Sequence, residues 1–283
     1  MESLRNIIEQ LNQEAARIQI QGRALTPEES ARIRAIYEAL PRLQEALVLL
    51  TSDKSANLVT YKIVSDMGGK LKRGARTACN FWNRFVEPSS SIVIRLGVFH
   101  SQGGTIARAY YPYKQAGVVY GRVEFNTKYL TDFTEHETAG TLVHEIGHTL
   151  GFGWDAWMEM FDAGTGKFEA DAVAQLPALS GMLVETEGGP GTRLSHWDED
   201  SFDRELMTGY KDPSEHVLPV TVDIMTLLGH RVIESLPEKT YLDSLLDALS
   251  QVTFLRHSDA KTLDVDYFEE TAIWENIPHD QPL

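Results

Sequence analysis

The sequence predicts an α+β fold, in which a mixed sheet and a central helix follow a helical N-terminal extension. Two observations support this prediction. Segments rich in β-branched and aromatic residues alternate with helical patterns between residues 57 and 150. Apolar residues recur at helical spacing through the first fifty residues, where Thr26 is a suitable N-cap and Pro27 fits the first helical position. We therefore expect the N-terminal helices to lie outside the domain that contains the sheet.

The predicted elements divide the chain into three parts. These are a helical extension (1–54), a central domain (55–235), and an acidic, partly helical C-terminal extension (236–283). The expected strands are 57–65, 91–99, 105–110 and 118–125, and the expected helices after residue 55 are 71–86, 136–150, 168–179, 218–228 and 240–254.

The composition excludes several classes of protein. The chain of 283 residues has 26 Lys and Arg against 41 Asp and Glu, a net charge of −15, which argues against a nucleic-acid binder. The single cysteine, Cys79, excludes an intrachain disulfide, and we expect it to be a buried apolar residue. No run of about 18 apolar residues predicts a membrane span, and the N-terminus lacks the pattern of a signal peptide. We expect a cytoplasmic protein or one exported by another route; the sequence predicts no oligomeric state.

The chemistry is concentrated in the segment His144-Glu145-Ile146-Gly147-His148, an H-E-x-x-H motif on a predicted helix. Residues four apart lie on one face of a helix, so His144 and His148 can bind the same metal ion. Zinc accepts such nitrogen ligands, and Glu145 is placed to take a proton from water. The motif therefore predicts one catalytic Zn²⁺ with Glu145 as general base.

A third ligand must come from another part of the chain. In the pattern H-E-x-x-H-x-x-G-x-x-H it would stand six residues after the second histidine, but Trp154 occupies that position. The residues leave three candidates open, namely Asp155, Glu169 and His196.

The sequence around the last candidate resembles a known family. The segment HWDEDSFDRELMTG begins at His196 and places Met207 eleven residues later. In this it resembles the leishmanolysin-like (M8) zinc metallopeptidases of the metzincin clan, including bacterial members. The resemblance covers about residues 56–235 and implies a metzincin-like catalytic domain with a smaller C-terminal subdomain. It also implies zinc binding by His144, His148 and His196, a Met-turn at Met207, and a bacterial source.

The resemblance implies further roles and a function. An edge strand at Val118–Phe125 would align extended substrates through Val119, Gly121 and Val123, and Tyr210 would line the cleft or pack. Independently of the resemblance, the acids that closely follow His196 suggest that either Asp198 or Glu199 orients an imidazole of the site. We expect a zinc metalloendopeptidase that acts on peptide or protein substrates. The alternatives are a catalytically silent scaffold of the same fold and a latent protease controlled by its terminal extensions.

Overall fold

The computed structural model describes residues 26–36, 57–115 and 118–250, together with the helical positions Ile7, Gln10, Leu11, Gln13, Glu14 and Arg17. Residues 27–36 are helical, with Ile33 and Ile36 buried. The Thr26 N–H donates to the Glu29 carboxylate (2.8 Å) and the Glu29 N–H donates to Thr26 Oγ1 (3.2 Å). This reciprocal pair is a capping box and confirms Thr26 as the predicted N-cap. The rest of the predicted N-terminal helices and of the acidic tail lies outside the described residues.

A four-stranded mixed sheet lies in the larger compact unit of the chain, which begins at Asn57. Its strands are β1 (Val59–Ile63), β3 (Ile92–Phe99), β4 (Ala107–Gln115) and β5 (Val118–Asn126), in the spatial order β1-β3-β5-β4. β1, β3 and β5 run parallel, and β4 is antiparallel to β5. A twisted mixed sheet with helices on it confirms the predicted α+β class.

Two long helices, α1 (Lys70–Phe85) and α3 (Glu135–Thr149), pack against each other and against the sheet. The Trp82 Nε1–H on α1 donates to the carbonyl of Val143 on α3 (2.8 Å). Cys79 is buried in α1, as predicted, and burial raises the pKa of its thiol. A capping box between Thr134 and Glu137 begins α3, and Gly151 follows its end with φ +114°. The two ends of the predicted central helix are therefore set by local sequence chemistry.

The remaining elements are short. A cluster of aromatic residues follows the end of α3, with Trp157 and Trp197 at its centre, both fully buried and 5.2 Å apart between ring centroids. Elsewhere in the described residues lie β2 (Val86–Glu87), α2 (Thr127–Leu130), α4 (Asp155–Met158), α5 (Ala170–Gln175), a 3-10 turn (Pro177–Leu179), α6 (Glu199–Phe202), β6 (His216–Val217), α7 (Pro219–Asp223), a 3-10 turn (Ile224–Thr226), β7 (Arg231–Val232), β8 (Thr240–Tyr241) and α8 (Leu242–Ser250).

The final described helix packs onto the same unit. Leu242, Leu246 and Leu249 of α8 are buried, and the helix contacts both α1 and α3. The predicted boundaries at 54 and 235 stay a prediction. No helix in the described ranges is both long enough and apolar enough to cross a membrane.

Candidate metal centre

Three histidines meet at one point beside the end of α3. The Nε2 atoms of His144 and His148 are 3.0 Å apart, and that of His196 lies 3.1 Å and 3.2 Å from them. A tetrahedral ion bound to three nitrogens at 2.0–2.1 Å separates them by about 3.3 Å. The three atoms are therefore spaced as ligands of one metal ion.

The Nδ1 atom of each of the three histidines forms a hydrogen bond with a main-chain carbonyl. Nδ1 of His144 donates to the carbonyl of Leu206 (2.7 Å), and Nδ1 of His148 donates to that of Phe152 (3.0 Å). Nδ1 of His196 donates to the carbonyl of Thr192 (3.0 Å), with Ser195 Oγ also in reach. A carbonyl can only accept, so each proton is held on Nδ1 and the lone pair of Nε2 points to the cluster.

Burial keeps these rings neutral. It lowers the pKa of His144 to about 4 and that of His196 to about 3, and for His196 the neighbouring His144 adds to the effect. Burial and the two neighbouring imidazoles hold the pKa of His148 well below its ordinary value. Metal ligands must be deprotonated, so at neutral pH this donor set fits a zinc ion without loss of protons.

Of the three candidates for a third ligand, the structure brings only His196 to the cluster. The segment that contains it is held by backbone hydrogen bonds from Glu185 N–H to the His196 carbonyl (3.0 Å) and from Trp197 N–H to the Met207 carbonyl (2.9 Å). Asp155 is exposed and bonded to the Tyr111 hydroxyl, and Glu169 is exposed before α5.

The partners of His196 differ from the prediction. Neither Asp198 nor Glu199 orients an imidazole, because carbonyl and hydroxyl oxygens take that position. Asp198 instead caps α6 through the Ser201 N–H (2.9 Å). Sequence reasoning missed the carbonyls of Leu206, Phe152 and Thr192, since main-chain groups leave no residue type to recognise.

Met207 lies under the motif helix. It is fully buried, and a Cβ added to Gly147 would lie 3.0 Å from both its Sδ and Cε atoms. Glycine between the two histidines therefore makes room for the thioether. Sequence inspection gave no reason for a glycine at this position of the motif.

An open cleft of about 470 Å³ runs across the three histidines. One wall is the segment 104–109 at the start of β4, and the other contains Thr208–Lys211 and Glu215. Glu145 lines the cleft; burial raises its pKa to about 8, opposed by a hydrogen bond from the Ala109 N–H of β4. Lys211 and Glu215 form an ion pair in the second wall.

The prediction that residues 118–125 form an edge strand was wrong. β5 (Val118–Asn126) lies between β3 and β4, which pair with its two sides, so its backbone has no open edge for a peptide. A Cβ added to Gly121 would lie 2.8 Å from Thr149 Oγ1 and closer still to its methyl group, so this glycine allows β5 to approach α3. Val119, Gly121 and Val123 are absent from the cleft lining, whereas Tyr210, 56% exposed, is part of it. The error arose because the sequence predicted only a short strand at 105–110, whereas β4 extends to Gln115 and is long enough to cover the edge of β5.

A comparison with known families agrees with this arrangement. Residues 92–232 match the family described as peptidase M43, pregnancy-associated plasma protein-A, which is a metzincin-type metallopeptidase family with a catalytic zinc. The matched range includes the three histidines, Glu145 and Met207. It supports the metzincin assignment and does not support the narrower leishmanolysin-like one. Over residues 92–232 the chain is thus similar to the pappalysin family, and this similarity supports a metzincin-type zinc metallopeptidase.

Proposed function

We propose that the chain hydrolyses internal peptide bonds of extended polypeptides, with His144, His148 and His196 as zinc ligands and Glu145 as general base. The observation that carries the proposal is the convergence of three neutral imidazole nitrogens, 3.0–3.2 Å apart, in an open cleft that a buried carboxylate also lines. Zinc bound there would supply Lewis acidity, which makes water nucleophilic at neutral pH, polarises a peptide carbonyl and favours the ionised form of a nearby carboxylate.

Glu145 would transfer the protons of the reaction. It follows the ligand His144 directly on α3 and lines the same cleft. Burial raises the pKa of Glu145 to about 8, so once ionised it is a stronger base than an exposed carboxylate. It would accept a proton from the attacking water and donate it to the leaving amine. The hydrogen bond from Ala109 would hold its carboxylate in place.

The open side of β4 would align the substrate. Within the described residues, β4 pairs with β5 on one side only and its first residues line the cleft. An extended peptide can add to such an edge as a further strand, which engages the main chain and leaves selectivity to side-chain pockets. This assigns to Ala107–Gln115 the role that the sequence had suggested for β5.

The test is peptide cleavage by zinc-loaded protein carrying Glu145→Ala or Glu145→Gln. Loss of a general base typically lowers the rate by about 10²–10⁴-fold, while the metal content should stay near one zinc per chain because the histidines are intact. The matched control is Glu135→Ala, which removes an exposed carboxylate from the first turn of the same helix. Cleavage by Glu145→Ala at the wild-type rate would exclude this mechanism. If wild-type protein loaded with zinc cut no bond in a broad peptide library, a binding function would replace the proposal.

A further inference from the structure

We infer that Glu205 is a positioning residue: its buried carboxylate fixes the Met207 turn and, through it, the rings of His144 and His196. The inference rests on the proposed zinc site and assigns Glu205 no contact with substrate.

Glu205 lies in a pocket of hydrogen-bond donors. Its carboxylate accepts from the Met207 N–H (2.6 Å) and from the Leu218 N–H (3.1 Å). It also accepts from the Thr221 hydroxyl (2.7 Å). Thr221 Oγ1 in turn accepts from Trp197 Nε1–H (2.9 Å), so the threonine must give its own proton to Glu205. Glu205, Thr221 and Trp197 are all fully buried.

The same turn contacts two of the three histidines. The carbonyl of Leu206, next in the chain, accepts from His144 Nδ1 (2.7 Å). The carbonyl of Met207 accepts from the Trp197 N–H (2.9 Å), and Trp197 follows His196 directly. Glu205 therefore reaches the segment of His196 by two routes, one through the backbone of Met207 and one through Thr221 and the indole.

Burying a carboxylate costs free energy of desolvation, so a residue that only filled space would be expected to be apolar. Burial raises the pKa of Glu205 to about 7, and the three hydrogen bonds oppose that shift. Within the described residues no ion pair neutralises Glu205, so its charge is stabilised by hydrogen-bond donors whose directions are fixed. An apolar residue could fill the volume but could not set the orientation of three donors.

Glu205→Gln tests the hydrogen-bonding role of the carboxylate, because it keeps the volume of the side chain and changes its acceptors. The amide has nearly the shape of the carboxylate, but its NH₂ must face either the Met207 N–H or the pair formed by the Leu218 N–H and the Thr221 hydroxyl, so at least one donor loses its acceptor. The matched control is Glu124→Gln, which removes another buried carboxylate, ion-paired with Arg108 and Arg122 on the sheet. Thr221→Val is the second variant, because it keeps the carboxylate and removes the hydroxyl that links it to Trp197.

The readouts are the zinc dissociation constant from chelator competition, the visible spectrum of the Co²⁺-substituted protein, and Tm. We expect Glu205→Gln to weaken zinc binding about tenfold or more and to shift the Co²⁺ bands. Thr221→Val should act in the same direction with a smaller effect. Glu124→Gln should lower Tm and leave zinc affinity and the Co²⁺ spectrum unchanged.

The inference is overturned if Glu205→Gln lowers Tm but binds zinc with wild-type affinity and an unchanged Co²⁺ spectrum. If Glu205→Gln does not fold, Thr221→Val decides by the same two measurements. Zinc affinity is measured without substrate, so a wild-type protein that binds zinc and cleaves nothing would contradict the proposed function and leave this inference standing.

Discussion

Gly121→Ala tests whether this residue packs β5 against α3 or contacts substrate, as the sequence had suggested. The added Cβ would lie 2.8 Å from Thr149 Oγ1 and 3.1 Å from Ile94 Cδ1, with the Thr149 methyl nearer still. These groups are buried or belong to the sheet, so they can move only by disturbing the strand–helix contact. Overpacking of this kind costs about 1–3 kcal/mol. At about 2–4 °C per kcal/mol for a unit of this size, we expect Tm to fall by about 2–12 °C.

The assay is thermal unfolding followed by circular dichroism, with KM measured in parallel. Thr149→Ala removes both clashing atoms, so the double variant should lose less stability than the two single variants together, with a coupling of about 0.5–3 kcal/mol. Gly189→Ala is the matched control, because nothing lies within 4 Å of a Cβ added there. An unchanged Tm with a clearly raised KM in Gly121→Ala would refute the packing explanation and return this residue to the substrate site.

Three further predictions concern the helix, the metal and the cysteine. Thr134→Ala removes the N-cap of α3 and should lower the free energy of unfolding by about 0.5–2 kcal/mol, measured by urea titration; a difference below 0.2 kcal/mol would contradict the capping role. Hydrogen bonds from Thr134 lower the pKa of Glu137, so its contribution is present above the unfolded pKa near 4.5 and should be lost as pH falls through the lower folded value. Chelation of zinc should abolish cleavage and lower Tm, since an ion at 100 times its Kd adds about 2.7 kcal/mol to stability; activity that survives complete metal removal would be inconsistent with the site. Cys79 is 3% exposed, so thiol reagents should modify it only on unfolding, and fast labelling of native protein would contradict its burial.

Helix α3 and two of the three histidines were predictable because the sequence features that determine them are local. The capping box at Thr134, the glycine after α3 and the spacing of His144 and His148 each act within a few residues, and the helix forms where they place it. His196 was among three candidates that the residues alone could not separate. Its selection depends on the fold of the segment between Trp154 and His196, in which Phe161 and Phe168 pack against Trp157. That packing is a long-range property.

The features that the sequence did not predict also depend on contacts between distant segments. The position of β5 inside the sheet depends on a hydrogen-bond ladder with β4, and strand order is not encoded in the alternation of a single strand. The packing functions of Gly121 and Gly147 depend on Thr149 and Met207, which the fold brings into contact. Glu205 similarly appeared only as part of a motif, since two of its three donors, Leu218 and Thr221, lie 13 and 16 residues further along the chain.

The most direct test of the central claim is the position of zinc in a crystal of the metal-loaded protein, located by anomalous scattering at the zinc edge. We predict one peak about 2.0–2.1 Å from Nε2 of His144, His148 and His196, with no carboxylate of the chain among its ligands. A peak bound by His144 and His148 together with Asp155 or Glu169, and with His196 turned away, would contradict the account.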